Sequence, residues 1–181
     1  MPKLPMPPLA DALPAGSFAP VEVRDDLPTI VVSAQALLEV CRVLRDHPAL
    51  QFAVCVDITA ADHYPRRPRF DVVYLLVSTA HTPTLRVKVQ LDAEGDAVPT
   101  VSTVWLAANW LEREVWDLFG ITFTGHPNLA RLLTPDDWEG HPLRKDYPVQ
   151  VKLPVKTYSP LQLTEEEFRA NVEADRRLRQ S

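Results

Sequence analysis

Between residues 120 and 160 the chain carries prolines at 127, 135, 142, 148, 154 and 160, one every six to eight residues. Proline fixes φ at about −65° and has no N–H, so this spacing forbids a helix of ordinary length and any central strand. The segment has to run extended. Its own apolar residues are too sparse for a core, so it must lie over something else, either the rest of the chain or a partner. The wider count agrees: 18 Pro stand against 5 Gly in 181 residues, where average usage would give about 9 and 13. Seven more prolines fall in residues 1–28, which read as a tail or extended arm, and only five fall in 29–119.

That middle segment reads as the globular core, and a length of 181 residues with 46% hydrophobic content fits one domain with appendages. Ile30 to Val32 is a short strand, and Ser33 can cap a helix with Leu37, Val40, Cys41 and Leu44 at helical spacing, ending before His47-Pro48. Leu50, Phe52, Val54, Val56 and Ile58 alternate on one strand face, with Ala53 and Cys55 on the other. Phe70 to Val77 is apolar on both faces, as in a central strand, and Leu85, Val87, Val89 and Leu91 mark a strand with one wet face. The three form an antiparallel meander. The expected class is α+β: a small mixed or antiparallel sheet packed by helices, followed by the extended Pro-rich strap (120–160) and a terminal helix (161–181).

A second helix begins at Asn109 and ends at Gly120, where a left-handed residue belongs. The spacing of Asn109 and Glu112 is that of a capping box, Leu111, Val115, Leu118 and Phe119 share a stripe, and Arg113 and Asp117 are placed as an i, i+4 pair. Thr164 and Glu167 form another capping box, with Leu163 and Phe168 as its staple, before a helix whose apolar face is thin.

Composition excludes several functions. Acids (24) and bases (19) are scattered through a chain of net charge −5, unlike the clustered cations of a nucleic-acid footprint. Cys41 and Cys55 are the only cysteines, too few for an iron–sulfur cluster or an all-cysteine zinc site, and both fit core positions. The longest clean apolar run, Val72 to Val77, cannot span a membrane, and the first residues lack the apolar segment of a signal peptide. The fingerprints of dinucleotide and phosphate loops, nucleophile elbows and zinc proteases are missing.

One dense polar stretch remains. A stand-alone metal-dependent enzyme would use His126, His141 and one of Asp136, Asp137 or Glu139, yet each histidine precedes a proline in extended chain and nothing in the spacing gathers the three. The favoured reading has both histidines hydrogen-bonding local backbone to pin the strap. Glu112 and Glu114 border the apolar stripe, and Arg131, Arg144 and Lys145 are the counter-ions expected to clip the strap to them.

The run Glu112-Arg113-Glu114-Val115-Trp116-Asp117-Leu118-Phe119-Gly120-Ile121, with Phe123, Gly125-His126-Pro127, Leu129, Arg131 to Leu133 and Glu139-Gly140-His141-Pro142-Leu143-Arg144-Lys145-Asp146-Tyr147-Pro148, resembles the signature of the 30-kDa-subunit family of respiratory complex I, the bacterial NADH-quinone oxidoreductase. Asn128 and Ala130 depart from that pattern, where Asp and Arg are frequent. The resemblance implies a cofactor-free subunit of the peripheral arm. It would sit on the cytoplasmic side of the cell membrane, docked on the quinone-site subunit and near the terminal-cluster subunit. FMN, iron–sulfur clusters and quinone would belong to partner subunits, and the complex would couple NADH oxidation to proton transport. It also implies that Glu112, Arg113, Glu114 and Asp117 order the helix end, that Phe119, Gly120 and Gly125 shape the chain reversals, and that His126, Pro127, Arg131 and Glu139 to Pro148 make strap and interface contacts. The equivalent subunit of a membrane-bound hydrogenase, or of a quinone oxidoreductase with another donor, is the nearest alternative.

Overall fold

The structure, a computed structural model, describes residues 9–81, 84–92, 95–148 and 164–178. The chain divides into two compact units, residues 1–147 and 148–181.

In the first unit the elements run α1 (Leu9–Ala12), β1 (Phe18–Val21), β2 (Thr29–Val32), α2 (Leu37–Asp46), β3 (Val54–Asp62), β4 (Phe70–Val77), β5 (Thr84–Leu91), β6 (Ala97–Pro99), α3 (Ala108–Phe119) and β7 (Thr122–Thr124). Five strands form one mixed sheet in the order β1-β2-β5-β4-β3. β3, β4 and β5 are the antiparallel meander, β2 joins β5 in parallel, and β1 closes the far edge antiparallel to β2. The class is α+β. Residues 9–21, expected within an extended arm, instead supply an edge strand and two core side chains, Leu9 and Leu13. Proline tolerates this place because an edge strand leaves half its N–H groups unpaired, and Pro20 lies in β1.

The inner sheet face carries Ile58, Val72, Tyr74, Leu76, Leu85, Val87 and Val89, in one core with Leu37, Val40, Cys41 and Leu44 of α2. Helix α2 ends at His47 as the sequence suggests, and Ser33 Oγ accepts from Ala36 N–H (3.3 Å) in the turn before it. α3 packs on β3.

The alternation expected around Leu50 is inverted in β3. Leu50 and Phe52 are buried, but they precede the strand in a turn where Gln51 adopts φ 47° and Phe52 N–H donates to Leu44 O (2.9 Å). That reversal resets the parity: Cys55 points inward at 5% exposure while Val54 and Val56 stand 41% and 55% exposed. An irregularity between Cys55 and Asp57 then shifts the register once more, so Ile58 again faces the core. In β4 the second face is only half covered, since Val73, Leu75 and Val77 lie half-buried between the side chains of β3 and β5.

Tyr74 is fully buried, and its hydroxyl has no hydrogen-bond partner among the described residues. Burying an unsatisfied hydroxyl is costly. Tyr74→Phe should therefore raise stability by about 1 kcal/mol, read as a higher urea midpoint at unchanged slope.

In the second unit, α4 (Glu165–Leu178) begins with the expected reciprocal box: Thr164 N–H donates to Glu167 Oε2 (2.9 Å) and Glu167 N–H to Thr164 Oγ1 (3.3 Å). Its staple partner Leu163 and the strap beyond 148 lie outside the described residues.

Candidate functional site: a strap clasped to a helix end

An α-helix ends with carbonyls that have no intrahelical partner. At the end of α3 the chain itself supplies donors for them. Gly120, at φ 73°, turns the chain so that its N–H reaches Trp116 O (2.8 Å). The strap then returns: His141 Nδ1 bonds Asp117 O (2.9 Å), Leu143 N–H donates to Leu118 O (3.0 Å), and Arg144 Nε donates to Phe119 O, with Nη2 reaching Gly120 O (3.4 Å). The run His141-Pro142-Leu143-Arg144 is thus a helix cap supplied from a distance. A Cβ on Gly120 would collide with the guanidinium of Arg144 and the ring of His141, so glycine is required there for space as well as for its dihedral angle.

A second fastening lies one turn earlier. Asp117 is buried, and its carboxylate accepts from Arg131 Nη1 (2.9 Å), from the N–H groups of Leu132 (3.0 Å), Leu133 (2.8 Å) and Thr134 (2.9 Å), and from the Thr134 hydroxyl. Burial by itself would raise its pKa, but these donors outweigh it and hold the carboxyl well below the usual carboxylate range. Arg113 Nε and Nη2 donate to Ala130 O (3.0 Å) and Arg131 O (2.9 Å). The expected Arg113–Asp117 pair does not form, because each group faces the strap instead of its helical neighbour.

The third fastening joins the strap to the sheet. Asp62, at the end of β3, accepts from Arg69 Nε (3.3 Å) and Nη2 (3.1 Å), Tyr64 N–H (2.8 Å) and Lys145 N–H (2.9 Å). Arg69 Nη2 also reaches Asp146 Oδ1 (2.7 Å). Nothing in the sequence singled out Asp62 or Arg69, since their strap partners lie about eighty positions away.

Glu112 differs most from expectation. It does not turn back to Asn109 as a capping box, nor does it meet a strap arginine. Fully buried, it accepts from Val101 N–H (2.7 Å) and bonds Thr100 Oγ1, which also contacts Ser102 Oγ (2.8 Å). Burial pushes its carboxyl up to about 7, with the Thr100 and Val101 hydrogen bonds opposing the shift. His126 Nε2 lies 3.8 Å from Glu112 Oε2 but 3.0 Å from Asn109 O, while Nδ1 accepts from Asn128 N–H (3.1 Å). Those contacts fit the neutral Nε2–H tautomer. Glu114, half-buried, has no hydrogen bond or ion pair among the described residues. The strap is therefore clipped to α3 through Asp117 rather than through Glu112 and Glu114: at this helix end the residues facing the returning chain are those of its last turn.

Both histidines bond helix carbonyls, and no group of three or more His, Cys, Asp or Glu among the described residues could hold a metal ion. Gly140 takes φ 81° beside the Tyr147 ring, whose hydroxyl donates to Glu139 O (3.1 Å) and whose face stacks on Trp138. Gly125 takes φ 79° with room for a Cβ, which would meet Thr100 Cγ2 at 3.6 Å. Gly125→Ala should cost only the left-handed backbone term of about 1–2 kcal/mol. Thermal unfolding would show that loss, while hydrogen exchange at 141–144 should be unchanged.

Residues 30–152 match the family described as the respiratory-chain NADH dehydrogenase 30 Kd subunit. The C-type subunit of NADH-quinone oxidoreductase from Methylobacterium sp. (strain 4-46) is 45% identical over 166 residues, covering 87% of this chain and 76% of that one. The protein of the same name from Geobacter metallireducens is 49% identical over 123 residues, covering 67% and 75%. Among solved structures, the trypsin-resistant fragment (1–134) of Nqo5 is 34% identical with a TM-score of 0.55, over 64% of this chain and 92% of that one. A chain of the membrane-bound sulfane sulfur reductase, an archaeal respiratory membrane complex, is 27% identical with a TM-score of 0.63, over 75% and 79%. Fold, strap and similarity agree: the chain belongs to the respiratory-chain NADH dehydrogenase 30 Kd subunit family.

Proposed function

We propose that this chain is a cofactor-free structural subunit in the peripheral arm of an NADH-quinone oxidoreductase, docked on the quinone-site subunit and close to the subunit that carries the terminal iron–sulfur cluster. One observation carries the reading. The polar groups of the signature, Asp117, Arg131, His141 and Arg144, turn inward to fasten the strap, while Leu133 (60%), Trp138 (36%) and Leu143 (51%) are left exposed on it. A strap held by buried polar anchors with apolar groups outward is built to meet another surface. On this reading the chain holds the assembly together and orients it, and FMN, clusters and quinone are carried by partners. The complex reduces quinone with electrons from NADH and moves protons, whereas the isolated chain is inactive. It lies at the cytoplasmic side of the cell membrane without entering it. Among the described residues no helix is long and apolar enough to cross a membrane.

The likeness to a chain of the sulfane sulfur reductase complex supports a second reading, in which the same subunit serves a membrane-bound complex with another electron donor or acceptor. Affinity purification from the native membrane separates the two. Recovery with flavin- and cluster-bearing subunits that oxidise NADH and reduce quinone supports the first; a complex without NADH oxidation supports the second; recovery of the chain alone overturns both.

A further inference from the structure

The strap covers the C-terminal half of α3 but leaves a stripe at its N-terminal end. Leu106, in the turn that leads into the helix, is 88% exposed, and Trp110, four residues on, is 59% exposed. Glu114 follows at the same spacing, which places the three on one line of the surface. Trp110 is not a loose side chain. The Arg113 guanidinium lies 5.0 Å from its ring centroid, and that guanidinium is itself fixed by Ala130 O and Arg131 O. An indole held in place before binding loses little freedom on being buried, which is the property of interface anchors. Beside it, Glu114 is a half-buried carboxylate with no partner among the described residues.

We infer that Leu106, Trp110 and Glu114 form a docking face for another protein subunit of the same assembly, one that offers an apolar recess to Trp110 and Leu106 and a lysine or arginine to Glu114. The inference rests on the subunit reading above and adds a surface distinct from the strap. Charge selects the occupant. A bilayer with anionic headgroups would repel Glu114 in a chain of net charge −5. A second copy meeting this face about a two-fold axis would set one Glu114 against the other.

The test uses the full chain in its native membrane with the photoreactive residue p-benzoylphenylalanine in place of Leu106. Irradiation, purification and mass spectrometry should identify an adduct to a co-purifying subunit, on a peptide with a basic residue near the site. Trp110→Ala should reduce that adduct at least tenfold, and Glu114→Lys should release the chain at lower salt than Glu114→Gln. The urea midpoint of the purified Trp110→Ala chain should equal that of the unmodified chain. An adduct to a second copy, to lipid or to residues 148–181 of the same chain overturns the docking face, as does no adduct while the complex still co-purifies. Recovery of the unmodified chain alone overturns the subunit reading and this face with it.

Discussion

Replacing Asp117 with alanine is expected to detach the segment 130–134 from α3, at a cost of about 3–5 kcal/mol, the range for removing one partner of a buried ion pair. The carboxylate is the common acceptor for Arg131, for three successive N–H groups and for the Thr134 hydroxyl. Its loss leaves those donors facing a hole. They can regain water only if the strap lifts, so the change should appear first as local opening. Amide exchange at Leu132, Leu133 and Thr134 should accelerate at least about a hundredfold before the sheet amides respond. Asp117→Asn, which keeps one acceptor oxygen but loses the charge, should fall between the two. Glu114→Gln should leave the same amides unchanged, because no strap donor reaches it. Unaltered exchange in Asp117→Ala would show that the strap is held by other means. Since the folded carboxyl lies below its ordinary value of 3.8, its contribution is present in full above that pH. It is lost only as the pH falls further, through the folded value.

The comparison of sequence with structure is clearest at α3. Its limits, its left-handed Gly120 and its apolar Val115 and Phe119 follow from local rules, because each depends on neighbours within a turn. The polar residues do not follow those rules. Glu112 satisfies the spacing of a capping box, yet a buried position beside Thr100 and Val101 offered it two donors, and tertiary contact overrode the local motif. Arg113 and Asp117 likewise satisfy the helix pairing rule but gain more from backbone groups on the strap, where the donors are held in place. The proline spacing correctly required an extended segment. What it could not supply was the destination, since Asp62 and Arg69 are ordinary strand-end residues until the chain returns to them. Parity in β3 was lost for a similar reason: one residue of positive φ at Gln51 reverses every assignment after it, and nothing in the hydrophobic pattern marks that residue.

Stability should depend on pH through Glu112, and Glu112→Gln should remove that dependence. The carboxyl has an ordinary value of 4.5 and about 7 in the folded protein. A folded acid with a raised pKa binds more protons than the unfolded chain, so stability falls as pH rises between those values. The contribution is complete below 4.5 and lost as pH passes through about 7, for a total of about 3 kcal/mol. The geometry agrees with the direction. Thr100 Oγ1 accepts from Ser102 N–H (3.1 Å) and can donate to Ser102 Oγ, so the protonated Glu112 supplies the hydrogen for its bond to Thr100. Nearby His126 cannot neutralise the carboxylate cheaply, because protonating Nδ1 would break its bond from Asn128 N–H. Glutamine reproduces the neutral form, with its amide donating to Thr100 and its oxygen accepting from Val101. Urea unfolding of both chains at pH 5, 6, 7 and 8 isolates the effect, because Asp62 and Asp117 are common to the pair and cancel in the difference. The glutamine chain should gain on the natural one as pH rises. A constant difference across that range would mean that Glu112 is charged throughout, and that Thr100 donates to it instead.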